Sequence, residues 1–213
     1  MKDFAYSQLP AGYELYEVLD LTGTTGENNN IAKKLAIMSA LIIAVMIGWA
    51  LVFAGIDISE AFEIPLPKFV FRFFAMIIGI VVYIFVHEGV HGFFIKMFSG
   101  QAPFYGKNLK AGMFYAGSHC FFGKVAYITI ALAPFIIWGV ILAMMLSELA
   151  VKSAENWWFL YAVQIMNFTG SVGDLYVAWR TLHMPKEILV QDDGTKMRFY
   201  ASRNAAMSQS LNE

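Results

Sequence analysis

Four stretches of this chain, residues 35–55, 69–98, 125–146 and 157–179, are long and apolar enough that water is a poor solvent for them. Each meets the requirement of about 20 mostly apolar residues for crossing a bilayer. Inside hydrocarbon a backbone must satisfy its own hydrogen bonds, so each stretch is expected to be a helix. Composition agrees: the chain is 58% hydrophobic and 15% charged, with mean hydropathy +0.56. A soluble domain is about 45–50% apolar and about 25% charged. The fold class expected is therefore an all-α polytopic membrane protein with four transmembrane helices.

Charge distribution orients that bundle. Lys2, Lys33 and Lys34 precede the first span, Lys96, Lys107, Lys110 and Lys124 lie at or between the second and third, and Arg180, Lys186, Lys196, Arg198 and Arg203 follow the fourth. Lys68, Arg72 and Lys152 alone lie on the other side. By the positive-inside rule both termini are expected in the cytoplasm. The outer loops carry Asp57, Glu60, Glu63, Glu148 and Glu155, and Trp157-Trp158 reads as an aromatic belt. No basic-then-apolar leader opens the chain, so the first span is expected to act as an uncleaved signal anchor. The expected division is an N-terminal cytoplasmic segment (1–34), a transmembrane domain (35–180), and a cytoplasmic hairpin and tail (181–213).

Outside the spans, residues 99–123 are rich in glycine and aromatics (Gly100, Gly106, Gly112, Gly117, Phe114, Tyr115) and read as a strand-like or re-entrant loop. Residues 187–200 surround Asp193-Gly194, a hairpin-turn pair. Small β-hairpin-like cytoplasmic elements are thus expected. Residues 13–21 suit a further strand, although their alternation is poor, and the tail from Ala201 reads as disordered.

A net charge of −1 with no basic block excludes nucleic-acid binding. The single Cys120 excludes an intramolecular disulfide framework and a cysteine-based zinc site.

The chemistry lies at the end of the second span, where His87-Glu88-Gly89-Val90-His91 forms an HExxH motif. One helical turn places both imidazoles on one face, suited to gripping a single Zn²⁺. Glu88 is then placed to take a proton from a water that the metal activates. With four His and ten Glu in 213 residues, chance yields such a pattern in roughly a few chains per thousand. Ionisable groups within a span are costly and usually functional. Haem ligation fits poorly, because two His on one helix cannot both be axial to one haem.

A catalytic zinc takes three protein ligands and an open position. Asp174 is the only acid inside the fourth span, in Asn167-Phe168-Thr169-Gly170-Ser171-Val172-Gly173-Asp174-Leu175. His87 lies eighteen residues beyond Phe69 and Asp174 seventeen beyond Trp157, about 27 and 26 Å along their helices. Both therefore reach one level, towards the cytoplasmic face. Gly170, Ser171 and Gly173 permit close helix approach. Asn167, two turns before Asp174, is a candidate to orient a ligand or to donate to a developing oxyanion. His119 in the loop is a second candidate for that role, and His183 reads as an interfacial residue.

HEGVHGFF at 87–94, the Gly/aromatic loop ending near Phe122, the Ala133-Pro134 step and NFTGSVGDL at 167–175 resemble the zincin peptidase family of small bacterial membrane proteins, related to the site-2 protease-type intramembrane metalloproteases. The resemblance covers roughly 70–200. It implies a bacterial plasma membrane and hydrolysis of a peptide or membrane-protein substrate within or near the bilayer. Site-2 proteases usually carry Asp followed by Gly in the ligand motif, whereas here Gly173 precedes Asp174, and no PDZ-like module is recognisable. The expected function is a Zn²⁺-dependent membrane metallopeptidase with ligands His87, His91 and Asp174 and Glu88 as general base, able to form a homo-oligomer. A catalytically silent adaptor or metal sensor is the alternative, and retention of Glu88 speaks against it. A metal transporter would need ionisable residues along several spans, which are nearly empty of them.

Overall fold

A computed structural model describes residues 4–21, 26–59, 62–108 and 113–202, with residues 26–29 as backbone alone. The chain runs β1 (Ala5–Tyr6), β2 (Tyr13–Asp20), α1 (Gly26–Phe53), α2 (Leu66–Ser99), β3 (Phe104–Asn108), β4 (Met113–Gly117), β5 (Phe121–Gly123), α3 (Lys124–Lys152), α4 (Ala154–Gly170), α5 (Val172–Leu182), β6 (Ile188–Asp192) and β7 (Lys196–Ser202). Lys2, Glu60, Lys110, Gly112, Arg203 and the tail beyond Ser202 lie outside the described residues, whereas Ala201 and Ser202 belong to β7 rather than to a disordered tail.

The all-α expectation is overturned. Five strands form one antiparallel sheet in the order β1-β5-β6-β7-β2, and β3 and β4 form a separate antiparallel hairpin. The hairpin expected around Asp193-Gly194 exists as β6–β7, but it is the middle of a sheet rather than an isolated element. The 99–123 segment divides, with β3–β4 standing apart and β5 joining that sheet. β2 shows why it was hard to read: its register with β7 shifts between Leu15 and Glu17. A bulge of this kind breaks the period-2 alternation that marks a strand in sequence.

Among the described residues, three helices are long and apolar enough to cross a membrane: Asn30–Phe53 within α1, Leu66–Ser99 and Lys124–Lys152. Large apolar side chains along them, among them Val52, Phe71, Ile78 and Phe85, are exposed on the protein surface. That is compatible with a membrane protein, because lipid and not water is the natural solvent for such a face. The fourth expected span is not one helix. α4 ends at Gly170, Ser171 caps it with φ −86° and ψ 4°, and α5 begins at Val172. Glycine at 170 and 173 weakens helix on both sides of the break.

Helix limits follow local chemistry. Pro67 occupies the first turn of α2, where its missing N–H costs nothing. Gly100, at φ +69°, ends α2 and returns its N–H to the Lys96 carbonyl. Ser153 caps α4 by accepting from the Asn156 N–H.

The chain divides into two compact units. One comprises Met1–Lys34, Glu88–Ala133 and Gly173–Glu213, the other Leu35–His87 and Pro134–Val172. In the first, the sheet, the near end of α3 and α5 share a core containing Leu19, Phe122, Tyr127, Ile188, Val190 and Phe199. Alternate residues of β7, Met197, Phe199 and Ala201, point into it. α5 contributes Val177 and Ala178, and its Arg180 grips Glu17 of β2 through Nε at 3.2 Å and Nη2 at 2.7 Å. In the second unit, Trp157 stacks on Tyr161 with ring centroids 4.5 Å apart, beside Ala50 and Leu146.

The β6–β7 turn holds two acids in opposite states. Asp193 is partly buried, yet hydrogen bonds from Lys196 and Thr195, with the Arg198 guanidinium 3.0 Å away, hold its carboxyl below the usual range. Asp192 is enclosed, and burial pushes it up to about 6 despite hydrogen bonds from the Tyr127 hydroxyl and the Gly194 N–H. Between the ordinary value of 3.8 and about 6, the folded state keeps a proton that the unfolded state has released. Stability from this group therefore falls as pH rises through that window. Relative to Asp192→Asn, the wild type should lose on the order of 3 kcal/mol between pH 4 and 7, at 1.36 kcal/mol per unit. Thermal melts of both proteins in detergent across that range check it, with parallel curves counting against it.

Candidate metal centre

The site is built on a stripe of α2 repeating every four residues: Tyr83, His87 and His91. At 3.6 residues per turn these stack on one face. All three are buried. An imidazole buried in an apolar helix has a problem at each nitrogen, since one carries a proton that must find an acceptor.

For His91 the acceptor comes from a helix defect. Pro134 lies inside α3, and proline has no N–H to give the carbonyl four residues back. That carbonyl belongs to Ile130, and His91 Nδ1 lies 2.9 Å from it. A carbonyl only accepts, so Nδ1 carries the proton and Nε2 presents its lone pair.

For His87 the acceptor is a side chain. His87 Nδ1 lies 2.9 Å from the Tyr83 hydroxyl, which donates to Asn167 Oδ1 at 2.8 Å. Because that hydroxyl proton is committed to Asn167, the tyrosine oxygen accepts from His87 Nδ1–H, again turning Nε2 to the ligand role. Asn167 is fully buried, and its Nδ2 donates to the Phe135 carbonyl at 3.3 Å, which fixes which end of the amide faces Tyr83. Gly139 lies alongside it, at a distance where a Cβ would stand in van der Waals contact with Asn167 Nδ2, 3.4 Å away.

Asp174 is in the first turn of α5, where the helix dipole favours a carboxylate. One turn further on, Val177, Ala178 and the Arg180–Glu17 pair anchor that helix. Asp174 Oδ1 stands 3.6 Å from His91 Nε2, too far for a hydrogen bond. Two donors each about 2.0–2.2 Å from a tetrahedral zinc stand roughly 3.4 Å apart. One ligand atom from each of His87, His91 and Asp174 lies within 4.8 Å of the others. Two imidazole nitrogens and one carboxylate oxygen are the donor set of an open zinc site, so these residues fit the ion.

The remaining predicted residues fall as follows. Glu88 is half-buried and directly follows His87 on α2. Both ends of the Asn167 amide are engaged, Oδ1 with the Tyr83 hydroxyl and Nδ2 with the Phe135 carbonyl. His119 is exposed, stacks on Phe104 at 4.9 Å, and is not among the metal-binding group. His183 is exposed beside Trp179, its Nδ1 2.8 Å from that residue's carbonyl. Tyr83 and the freed Ile130 carbonyl escaped the sequence reading. Their signals were a polar residue four before His87 and a proline four after Ile130. Beside the site, the β3–β4 hairpin rests on α2, where Gly92, next to His91, meets the Tyr105 ring; a Cβ there would collide with it.

Residues 80–189 match the family model described as "Putative zincin peptidase". A protein of Pyrococcus woesei, described as an uncharacterized 24.7 kDa protein in the gap 5′ region, is 31% identical over 166 residues, covering 76% of this chain and 68% of that protein. No solved structure matches.

Tyr83→Phe removes the acceptor for His87 and strands Asn167 Oδ1. Zinc affinity, measured by chelator competition, should fall about 10–100-fold. In Pro134→Ala the new N–H competes with His91 for the Ile130 carbonyl. Zinc affinity should drop about tenfold, while the melting temperature holds or rises because a helix-breaking residue is gone. Unchanged affinity in both variants would show that these bonds do not set the ligand tautomers.

Proposed function

This chain belongs to the zincin peptidase family, and on that premise we propose that it is a zinc-dependent metallopeptidase embedded in the membrane, hydrolysing peptide bonds within or near the bilayer. The observation that carries the reading is the convergence of His87, His91 and Asp174, with the Nδ1 proton of each imidazole already given away. In this reading those three residues hold Zn²⁺. Bound zinc supplies Lewis-acid chemistry, lowering the pKa of a water towards about 7 and polarising a carbonyl.

The chain's own groups do the rest. Glu88 takes a proton from the attacking water onto its carboxylate, and delivers it to the nitrogen of the leaving amine as the C–N bond breaks. Asn167 and Tyr83 hold the His87 ring, and Ile130 holds the His91 ring, so neither ligand has to reorganise during turnover. A helical substrate hides its peptide bonds in its own ladder, so the scissile segment enters extended. The β3–β4 hairpin, seated on Gly92 beside His91, is a nearby edge for such a segment to join by strand addition. The protein is proposed to sit with Lys33, Lys34, Lys96, Lys107 and Lys186 towards the cytoplasm, following the positive-inside rule.

Metal analysis of the detergent-purified chain tests the ligand set. Wild type and Glu88→Ala should each hold about one zinc per chain, and His87→Ala and Asp174→Ala should lose it. Glu88→Ala should also cut peptide hydrolysis by roughly 10²–10⁴-fold. Full zinc in Asp174→Ala would remove the third ligand, and undiminished cleavage in Glu88→Ala would remove the base. Photocrosslinks from a trapped substrate that miss residues 104–117 altogether would eliminate the strand-addition step.

A further inference from the structure

Away from the histidines, in the first half of α2, a groove of about 690 Å³ runs between α2 and α4. Most of its wall is apolar, with Phe71, Ala75 and Gly79 on one side and Leu160 and Val163 on the other. One end is different. Lys68 and Arg72 line it together with Asn156.

Arg72 is held rigidly there. Its Nε donates to Asn156 Oδ1 at 2.8 Å and its Nη2 to Glu155 Oε1 at 2.7 Å. Its Nη1 is buried and has no protein partner among the described residues. A buried donor on a charged group is costly to leave unmet. Lys68 and Arg72 line this end, where Glu155 pairs with Arg72, so two cations stand beside that carboxylate.

The placement identifies the occupant. Lys68 and Arg72 fall within six residues of Leu66, where the apolar helix begins, which is headgroup depth for a helix that crosses a bilayer. From Lys68 to Gly79 is eleven residues, about 16 Å of helix running inward. A cationic donor at headgroup level, followed by an apolar channel of that length, complements an anionic head carrying an acyl chain. A small soluble anion would leave the channel unfilled, and an apolar peptide helix brings no charge to the Lys68–Arg72 end.

We propose that the α2–α4 groove is a binding site for an anionic phospholipid, whose phosphate meets the positive end formed by Lys68 and Arg72 and whose acyl chain lies along Ala75, Gly79 and Val163. Chain and head then both hold the lipid, the one by apolar burial and the other by charge.

The full chain, purified in detergent, is titrated with phosphatidylglycerol or phosphatidylcholine of identical acyl chains, and bound lipid is counted by native mass spectrometry. Wild type should retain one phosphatidylglycerol at least tenfold more tightly than phosphatidylcholine. Arg72→Gln should reduce that preference about tenfold. Ala75→Phe, which fills the channel and leaves the ionic end intact, should weaken both lipids alike. Far-UV circular dichroism and elution as a single species confirm that each variant is folded. Equal retention of the two lipids, full retention by Ala75→Phe, or displacement by millimolar inorganic phosphate would overturn the proposal. So would an intermolecular disulfide, seen as a covalent dimer, between an Ala75→Cys chain and a Phe159→Cys chain, which would make the groove an interface between chains.

Discussion

An imidazole can offer a lone pair to a metal only if its other nitrogen has somewhere to put a proton. In water that condition is trivial. In an apolar helix it is the constraint on which the arrangement around His87 and His91 depends. His91 meets it with a backbone carbonyl released by Pro134, His87 with a relay through Tyr83 to Asn167. The two solutions use different materials and reach the same result, an imidazole whose Nδ1 proton is committed to a neighbour. The Phe135 carbonyl serves this too, since by accepting from Asn167 Nδ2 it turns Oδ1 towards Tyr83.

The motif and the apolar helices were legible in the sequence because both depend on short-range spacing. Four residues separate His87 from His91 on any helix, and long apolar runs announce themselves. In sequence, Asp174 is brought to the level of the histidines through a wrong intermediate. It was placed by counting along one continuous fourth helix, whereas the chain breaks at Ser171 and Asp174 begins a new, short helix. The carboxylate still arrives near His91, but α5 is positioned by packing with the sheet core and by the Arg180–Glu17 pair, whose partners lie 163 residues apart in sequence.

The sheet was the larger miss. β1 is two residues long and β5 three, below the length at which alternation means anything. β2 is long enough but bulged, so its pattern changes phase midway. Only β6–β7, with a turn pair at its tip and clean alternation in β7, carried its own signal. Strands that exist because of their neighbours leave little trace in a single chain. The same holds for Tyr83, whose role depends on where Asn167 arrives.

Pro134 carries a further consequence. A proline in a membrane helix leaves a carbonyl unserved, and in hydrocarbon that orphan is expensive. Here the deficit is met by a residue of the candidate metal centre, so the imidazole of His91 that could serve a metal also repairs the backbone of α3. Helix integrity and any metal chemistry at this centre thereby share one side chain. A descendant that gave up the chemistry could not simply drift at position 91, because the loss would expose the defect at 130. It would have to surrender the histidine and the proline together, which makes positions 91 and 134 a pair whose histories should be read jointly.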